Sequence, residues 1–207
     1  MSELYSRYPQ LTECEESISK ALEMFIETYK NGGKILIGGN GGSCADSEHI
    51  VGELMKGFML KRPVGCEFED NLKACGFEDA EFLCKNLQGA LPAISLPSQT
   101  AILSAFINDV SPEMMYAQMV YGYATEKDLL VCLSTSGNSK NLVHAAKIAK
   151  AKGTRVLSMT GQKDSLLSQL SDVTIKVPET ETYKIQELHL PVYHHLCAMC
   201  ESEFFEE

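Results

Sequence analysis

The chain has 207 residues, 44% of them hydrophobic and 22% charged, which suits one globular α/β domain with a sizeable core. Its net charge of −10 at pH 7 and its lack of a basic run argue against binding to nucleic acid or to an anionic membrane. No apolar run approaches the length of a membrane-spanning helix, and the N-terminal sequence lacks the apolar segment of a signal peptide, so we predict a cytoplasmic protein.

The first predicted element is a helix, opened by the capping box "TECE" at residues 12–15 and ended by "NGG" at residues 31–33. Between these signals the apolar residues repeat at helical spacing, from Ile18 to Tyr29. The run "KILIGG" predicts a short buried strand, and "NGGSCADSEHIVGELMKGF" predicts a glycine turn that leads into a second helix. From about Pro63 to Leu91 the pattern weakens into an acidic, mildly helical segment.

Beyond this segment, strands and helices alternate. We predict strands at "PAISL", "DLLVCLS", "TRVLSMT" and "VTIKV", and helices at "TAILSAFIND", "PEMMYAQMVYGYAT", "NLVHAAKIAKAKG" and from Tyr183 onward. Such alternation predicts an α/β fold, a three-layer αβα sandwich with a central parallel sheet, whose ligands bind at the carboxyl ends of the strands. We predict one domain over residues 1–207, with an added N-terminal helix within 1–33 and an acidic insert at about 64–90.

Two loops that each follow a strand and precede a helix are candidate phosphate sites. "IGGNGGS" (Ile37 to Ser43) has glycines that allow close backbone approach, and "STSGNS" (Ser134 to Ser139) has hydroxyl donors beside a helix N-terminus. A helix N-terminus has unpaired N–H groups and a partial positive charge, so it can hold a phosphate without lysine or arginine. Serine, asparagine and glycine are also ordinary turn and N-cap residues, and that alternative stays open for either loop alone.

Two common nucleotide-binding motifs are absent. From Gly39 the pattern G-x-G-x-x-G fails at Cys44, and no G-K-[ST] closes a phosphate-binding loop. The C-x-x-C of Cys197 and Cys200 lies in a segment with helical spacing, and no second cysteine pair stands at zinc-finger spacing. We therefore favour two core positions over a redox or metal pair, and we expect the eight cysteines to be reduced thiols.

The stretches "GNGGSCADSEHIVGELMKGF", "LSTSGNSKNLVHAAKIAKAKG", "SMTG" and "KIQELHLPVYHHL" resemble the sugar isomerase (SIS) domain family. The serine loop is typical of most of that family. The His-x-x-x-Glu after the glycine loop and the later Q-E-x-H are similar to its heptose phosphate branch. The resemblance implies an isomerase that converts sedoheptulose 7-phosphate to D-glycero-D-manno-heptose 7-phosphate through an enediol. It also implies a homotetramer with sites at the subunit interfaces.

The resemblance further implies roles for individual residues. Glu53 would be the catalytic base and His194 the acid/base partner. Zinc, or another divalent cation, would be held by His49, Glu53, Gln186 and His194, a set of nitrogen and oxygen donors that suits a four-coordinate site. The phosphosugar would be bound by Asn40, Gly41, Gly42, Ser43, Glu53, Asn108, Asp109, Ser134, Thr135, Ser136, Ser139 and Gln186.

Without the resemblance, each histidine is more typical of a surface or hydrogen-bonded core position. His144 and His195 keep that interpretation, and His189 is undecided. The sequence departs from the family at the insert, which either covers the site, extends a subunit contact or is a plain surface excursion. It departs again at Pro191, which lies between Gln186 and His194. A proline inside a helix removes a hydrogen bond and usually kinks the helix, and the kink either turns His194 away from Gln186 or aims it.

Two alternatives to the heptose phosphate isomerase stay open. One is a non-catalytic SIS protein, either a replication-initiator-associating adaptor or a phosphosugar sensor. The adaptors resemble the isomerases but replace the residues that match Glu53 and His194, both of which are present here, so we favour the enzyme. The other alternative is an SIS isomerase for a different ketose phosphate, since the insert and Pro191 each bear on the shape of the site.

Overall fold

The structure is a computed structural model that describes residues 2–206. Its centre is a sheet of five parallel strands: β1 (Ile35–Gly39), β2 (Ala93–Ser95), β3 (Leu129–Leu133), β4 (Arg155–Thr160) and β5 (Val173–Lys176). The strand order is β2-β1-β3-β4-β5. The chain therefore leaves β1 toward one edge of the sheet and later returns to pair β3 against its other side. That reversal makes a crevice between the carboxyl ends of β1 and β3, where ligands bind in such sheets.

Helices surround the sheet: α1 (Ser2–Arg7), α2 (Glu15–Lys30), α3 (Gly42–Met55), α4 (Cys66–Ala74), α5 (Ala80–Asn86), α6 (Thr100–Asp109), α7 (Met115–Tyr123), α8 (Lys140–Ala151), α9 (Leu166–Leu170) and α10 (Thr182–Phe204). Short 3-10 helices span Pro9–Cys14, Leu96–Ser98 and Pro112–Met114. Within the described residues, no helix has the length and apolar content needed to cross a membrane. The cytoplasmic location stays a prediction.

Both faces of the sheet are covered, as predicted. Every residue of β1 and β3 is buried, because alternate side chains enter opposite cores. Ile35 and Ile37 pack with α2, α3 and α10, whereas Leu36 packs with α7 and α8 on the other face. The sheet thus holds α3 and α10 together on one side, and the start of each lies near the strands' carboxyl ends.

The N-terminal region differs from the single helix that we predicted. The capping box does not form: Cys14 occupies the N-cap position of α2 and makes no side-chain capping hydrogen bond. The reason is that Pro9 opens a 3-10 helix that runs to Cys14, so Thr12 lies inside that turn rather than at a helix start. The short helices α1 and α9 were not predicted.

The acidic insert forms α4 and α5, which lie outside the sheet. Only Ala80 and Cys84 of these two helices are buried. In the part of the chain that the structure describes, no hydrogen bond or ion pair joins α4 or α5 to the predicted site residues. The insert returns to the body of the protein at Gly89, whose N–H donates to Arg62 O at 2.7 Å.

Candidate active site

The glycine loop and the serine loop lie side by side at the carboxyl edge of the sheet. Gly39 at the end of β1 is paired with Leu133 at the end of β3. Just beyond these residues, the Asn40 and Asn141 side chains exchange two hydrogen bonds of 3.0 and 2.9 Å. The start of α3 and the start of α8 therefore face one crevice.

The serine loop is folded by its own hydroxyl groups. Ser134 Oγ accepts a hydrogen bond from Gly137 N at 3.1 Å and lies 3.1 Å from Ser139 Oγ. Gly137 has a φ of +65°, and a Cβ there would lie 2.1 Å from Ser165 Oγ, so this turn requires glycine. Ser139 is the N-cap of α8 but makes no side-chain capping bond. The N–H of Leu142 in the first turn donates to Asn141 Oδ1 at 3.0 Å, so the N–H groups of Lys140 and Asn141 are the ones that stay open to an anion.

Three predicted residues converge at the junction of α3 and α10. His49 Nε2 lies 3.1 Å from Glu53 Oε1, as their spacing of four residues in one helix allows. His194 Nε2 on α10 lies 3.4 Å from the same His49 nitrogen. Since α10 runs unbroken through Pro191, the proline does not separate His194 from this group.

Tyr193 and Asp46 orient the His49 ring. The Tyr193 hydroxyl donates to Asp46 Oδ1 at 3.2 Å and lies 3.0 Å from His49 Nδ1. With an ionised Asp46, the single hydroxyl proton is used, so His49 must carry its proton on Nδ1. The lone pair of His49 Nε2 then faces Glu53 and His194, and a proton or a cation between these groups relieves the repulsion.

The environment of Glu53 and His194 suits proton transfer. Glu53 Oε2 is buried and makes no hydrogen bond, and the ammonium of Lys56 lies 3.6 Å away. Burial, and after it the neighbouring His49, hold the pKa of His194 below its usual range, while Glu53 acts in the opposite direction. A carboxylate oxygen that makes no hydrogen bond thus lies in a site that also contains an imidazole.

Gln186 stands apart from this group. Its Nε2 lies 3.5 Å from Ser43 Oγ, at the N-terminal turn of α3. No three His, Cys, Asp or Glu side chains among residues 2–206 have an arrangement that could hold a metal ion. As arranged in this structure, the four predicted ligands do not form an assembled metal centre.

Asn108 and Asp109 lie at the end of α6, where both are exposed. Asn108 Nδ2 donates to Asp109 Oδ1 at 2.8 Å. No hydrogen bond or ion pair in the described part of the chain joins them to the glycine loop or the serine loop. Within one chain the structure therefore does not bring these two residues to the site.

The remaining histidines and the C-x-x-C pair occupy different environments. His189 is fully buried, with Nε2 3.4 Å from Thr160 O, and burial lowers its pKa to about 4. His144 is partly exposed beside Glu113. Cys197 and Cys200 are buried in the core, and burial raises the pKa of both thiols, as expected for core positions.

Sequence reasoning missed Asp46 and Tyr193. Asp46 lies three residues before His49 and seven before Glu53, a spacing that puts the three on one face of α3 and offered a signal. Tyr193 contacts His49 from another helix, and its place next to His194 gave no indication of that contact.

The fold and this site define an SIS domain. Two SIS domain family models match the chain, one over residues 94–199 and the other over residues 3–68. The insert between α3 and β2 therefore lies largely outside both matches. The chain belongs to the SIS domain family.

Within the SIS domain family, the chain is similar to phosphoheptose isomerases. The phosphoheptose isomerase of Aneurinibacillus thermoaerophilus is 36% identical over 87% of this chain and 78% of its own length. That of Helicobacter pylori (strain P12) is 34% identical over 94% of this chain and 88% of its own. A solved phosphoheptose isomerase from Neisseria gonorrhoeae superposes with a TM-score of 0.72 at 27% identity, covering 96% of each chain. The predicted family and the prediction of an isomerase are confirmed.

Proposed function

We propose that this protein interconverts sedoheptulose 7-phosphate and D-glycero-D-manno-heptose 7-phosphate. The first is a ketose and the second an aldose, and they differ in the hydrogens carried by C1, C2 and the oxygens on these two carbons. The observation that carries the proposal is the convergence of Glu53 and His194 on His49. This group lies on α3 and α10, and α3 itself begins at the glycine loop on the sheet's carboxyl edge. The site thus offers a base, an acid and an anion-binding region to one elongated substrate.

Glu53 performs the carbon-to-carbon proton transfer. Its buried Oε2, which makes no hydrogen bond, takes a proton from C1 of the ketose, and His194 gives a proton to the carbonyl oxygen on C2. The product of this first pair of proton transfers is an enediol. Glu53 then returns the proton to C2, while His194 takes a proton from the hydroxyl on C1, so atoms and charges balance over the cycle.

The phosphate end binds at the serine loop. The Ser134–Ser139 hydroxyls and the uncapped N–H groups of α8 supply donors to a phosphate, and the local positive charge comes from the helix dipole. Gln186 and Ser43, which contact each other at the N-terminal turn of α3, hydrogen-bond to sugar hydroxyls. The protein therefore binds the phosphate through local donors, although the chain as a whole has a net negative charge.

The zinc ion implied by the resemblance is a separate proposal, and no step above depends on it. When bound, a divalent cation would polarise the substrate oxygens. His49, Glu53, Gln186 and His194 are its proposed ligands. The test is the metal content of the purified protein, followed by zinc titration of protein treated with a chelator. Zinc that binds equally to a His49→Gln variant would contradict this ligand set.

We also propose a homotetramer in which α6 contributes to the site of a neighbouring subunit. Six of the ten residues of α6 are apolar, yet none of the ten is buried in the single chain. Such a face favours a protein contact over exposure to water. Asn108 and Asp109 at its end would then reach a second chain's substrate. Light scattering should give four chains, and Ile107→Glu should reduce that number.

The decisive experiment is proton exchange, followed by NMR in deuterated water with sedoheptulose 7-phosphate and a panel of other ketose phosphates. We expect deuterium at C1 of the ketose and at C2 of the aldose. Glu53→Gln should lower the rate by about 10²- to 10⁴-fold, because it removes the base. Glu48→Gln is the matched control: Glu48 lies on the same helix, exposed, and accepts a hydrogen bond from Ser98 at 2.9 Å.

Each other outcome selects a different function. Exchange with another ketose phosphate but not with the heptose would identify an SIS isomerase of different substrate. The absence of exchange with every ketose phosphate, with zinc supplied and the oligomer confirmed, would leave a non-catalytic binding protein. Glu53→Gln with wild-type exchange would refute the role of Glu53.

A further inference from the structure

A buried ion pair joins α10, which carries the proposed acid, to the segment that follows α3, the helix of the proposed base. Arg62 Nε donates to Glu201 Oε1 at 2.7 Å, and neither side chain is exposed. No other ion pair between described residues has both side chains fully buried. A buried pair is costly to desolvate and is often replaceable by apolar residues without loss of stability. Its presence next to the site therefore calls for a reason other than stability alone.

Arg62 holds the last turn of α3, the helix of the proposed base. Its guanidinium donates to Leu54 O at 2.6 Å and to Glu53 O at 3.0 Å. Carbonyls at a helix C-terminus have no partner within the helix, so this guanidinium completes the end of α3. One of the two carbonyls belongs to Glu53 itself. The backbone that aims the carboxylate is thus fixed directly by Arg62.

Glu201 holds the segment that follows α3. Its carboxylate accepts hydrogen bonds from Phe58 N at 2.8 Å, Met59 N at 2.7 Å and Leu60 N at 3.1 Å. It lies on α10 seven residues after His194, about two turns along the helix. The Phe58 ring packs against the His194 imidazole, with centroids 5.5 Å apart. The Glu201 carboxylate therefore positions the Phe58 ring that packs against His194.

The backbone of Arg62 is itself strained into place. Its φ of +32° is the only positive value of a non-glycine residue between residues 2 and 206. A side chain rarely adopts this region unless the surroundings hold it there. The Phe205 ring covers the guanidinium at 4.7 Å, and Gly89 N donates to Arg62 O.

We propose that Arg62 and Glu201 are positioning residues, which set the separation between Glu53 on α3 and His194 on α10. The inference rests on the proposed function for its kinetic consequence. It explains why an arginine bonded to the end of α3 is paired with a glutamate on α10. Proton transfer is sensitive to such placement, since an error of about 1 Å can cost roughly 100-fold in rate.

The test compares Arg62→Lys and Glu201→Gln with the exposed pair of Lys30 and Glu203, which also joins α10 to another helix. Lysine keeps the charge but carries its donors on one nitrogen, so it cannot reproduce the bonds that Arg62 makes from three nitrogens to Glu201, Leu54 O and Glu53 O. Glutamine keeps an acceptor but loses the ion pair. We expect kcat per folded protein to fall by 10- to 100-fold in both, with KM changed less than about threefold, since the phosphate loops are untouched. Glu203→Gln should keep wild-type kcat.

A second readout does not depend on activity. The ¹⁵N signals of the His49 and His194 rings should shift in Arg62→Lys, whereas that of His144 on α8 should not. If the wild type shows no proton exchange, the proposed function fails, and these spectra still decide whether the pair positions the site. Unshifted signals together with kcat within threefold of wild type would overturn the inference. Failure of both variants to fold would overturn it too, because the pair would then serve the fold as a whole.

Discussion

Gly42 offers a sharp test of how Gln186 is placed. An alanine Cβ at position 42 would lie 2.7 Å from Gln186 Nε2 and 3.0 Å from its Cδ and Oε1. Ordinary contact begins at 3.4 Å, so the amide must move by about 0.7 Å. Because the amide ends a flexible side chain, the cost in stability is small. A rotamer change of about 0.5–1.5 kcal/mol is offset by about 0.4–1 kcal/mol from the loss of a glycine.

Activity should respond far more than stability. A displacement approaching 1 Å predicts a fall in kcat/KM of about 10-fold, equivalent to about 1.4 kcal/mol of transition-state stabilisation. The assay is isomerisation kinetics combined with thermal unfolding. Gly122→Ala is the matched control, because Gly122 lies in α7 and a Cβ there meets nothing within 4 Å. That variant should keep wild-type kcat/KM.

A double variant shows whether Gly42→Ala acts through Gln186. If it does, Gly42→Ala with Gln186→Ala should be no worse than Gln186→Ala alone, because the second change removes the group that the first displaces. Additive losses would show that the methyl group obstructs something else. A Gly42→Ala enzyme with kcat/KM within twofold of wild type would refute the reasoning.

Three further predictions concern the residues around the site. Tyr193→Phe should lower kcat by about 10-fold at nearly constant KM, because it frees the His49 ring; a change in KM alone would contradict this. Ser134→Ala should raise KM by about 10-fold for a phosphorylated ketose and leave reaction with the unphosphorylated sugar unchanged, as steady-state kinetics would show. The third prediction concerns His189, whose pKa falls from 6.5 to about 4 on folding. Below pH 6.5 the unfolded chain binds a proton that the folded chain rejects, so stability present above 6.5 is lost as the pH falls toward 4, by about 3 kcal/mol. Denaturant unfolding should show this slope, reduced in His189→Gln and kept in a His144→Gln control.

The sheet could be predicted from the sequence because its strands are buried on both faces. A parallel strand covered on two sides must be apolar at every position, and such runs stand out between polar loops. β1 and β3 were therefore found to within a residue or two. The misses, α1 and α9, have six and five residues, too few to display a helical period. The capping box failed for another reason: Pro9 directs the backbone before Thr12 can act as a cap.

The site was only partly predictable. His49 and Glu53 are visible in the sequence because four residues separate them on one helix. Their meeting with His194 depends on how α10 packs against α3, and no local pattern shows that. Arg62 and Glu201 were missed altogether, because 139 residues separate them and a charged residue usually indicates a solvated surface.

The contacts of Arg62 with Glu201 and with the end of α3 also explain why an insert can lie at this point of the chain. The chain leaves the body of the protein immediately after Arg62 and returns at Gly89, where the two backbones are hydrogen-bonded and Pro63 forms a β-bridge with Gln88. The ends of the insert are therefore adjacent, so closing a longer or shorter loop between them costs little entropy. Since Arg62 and Glu201 fix α3 before the insert begins, α4 and α5 can differ without moving Glu53. An insertion at this point is compatible with the candidate site because the contacts of Arg62 and Glu201 hold the end of α3 before the insert begins.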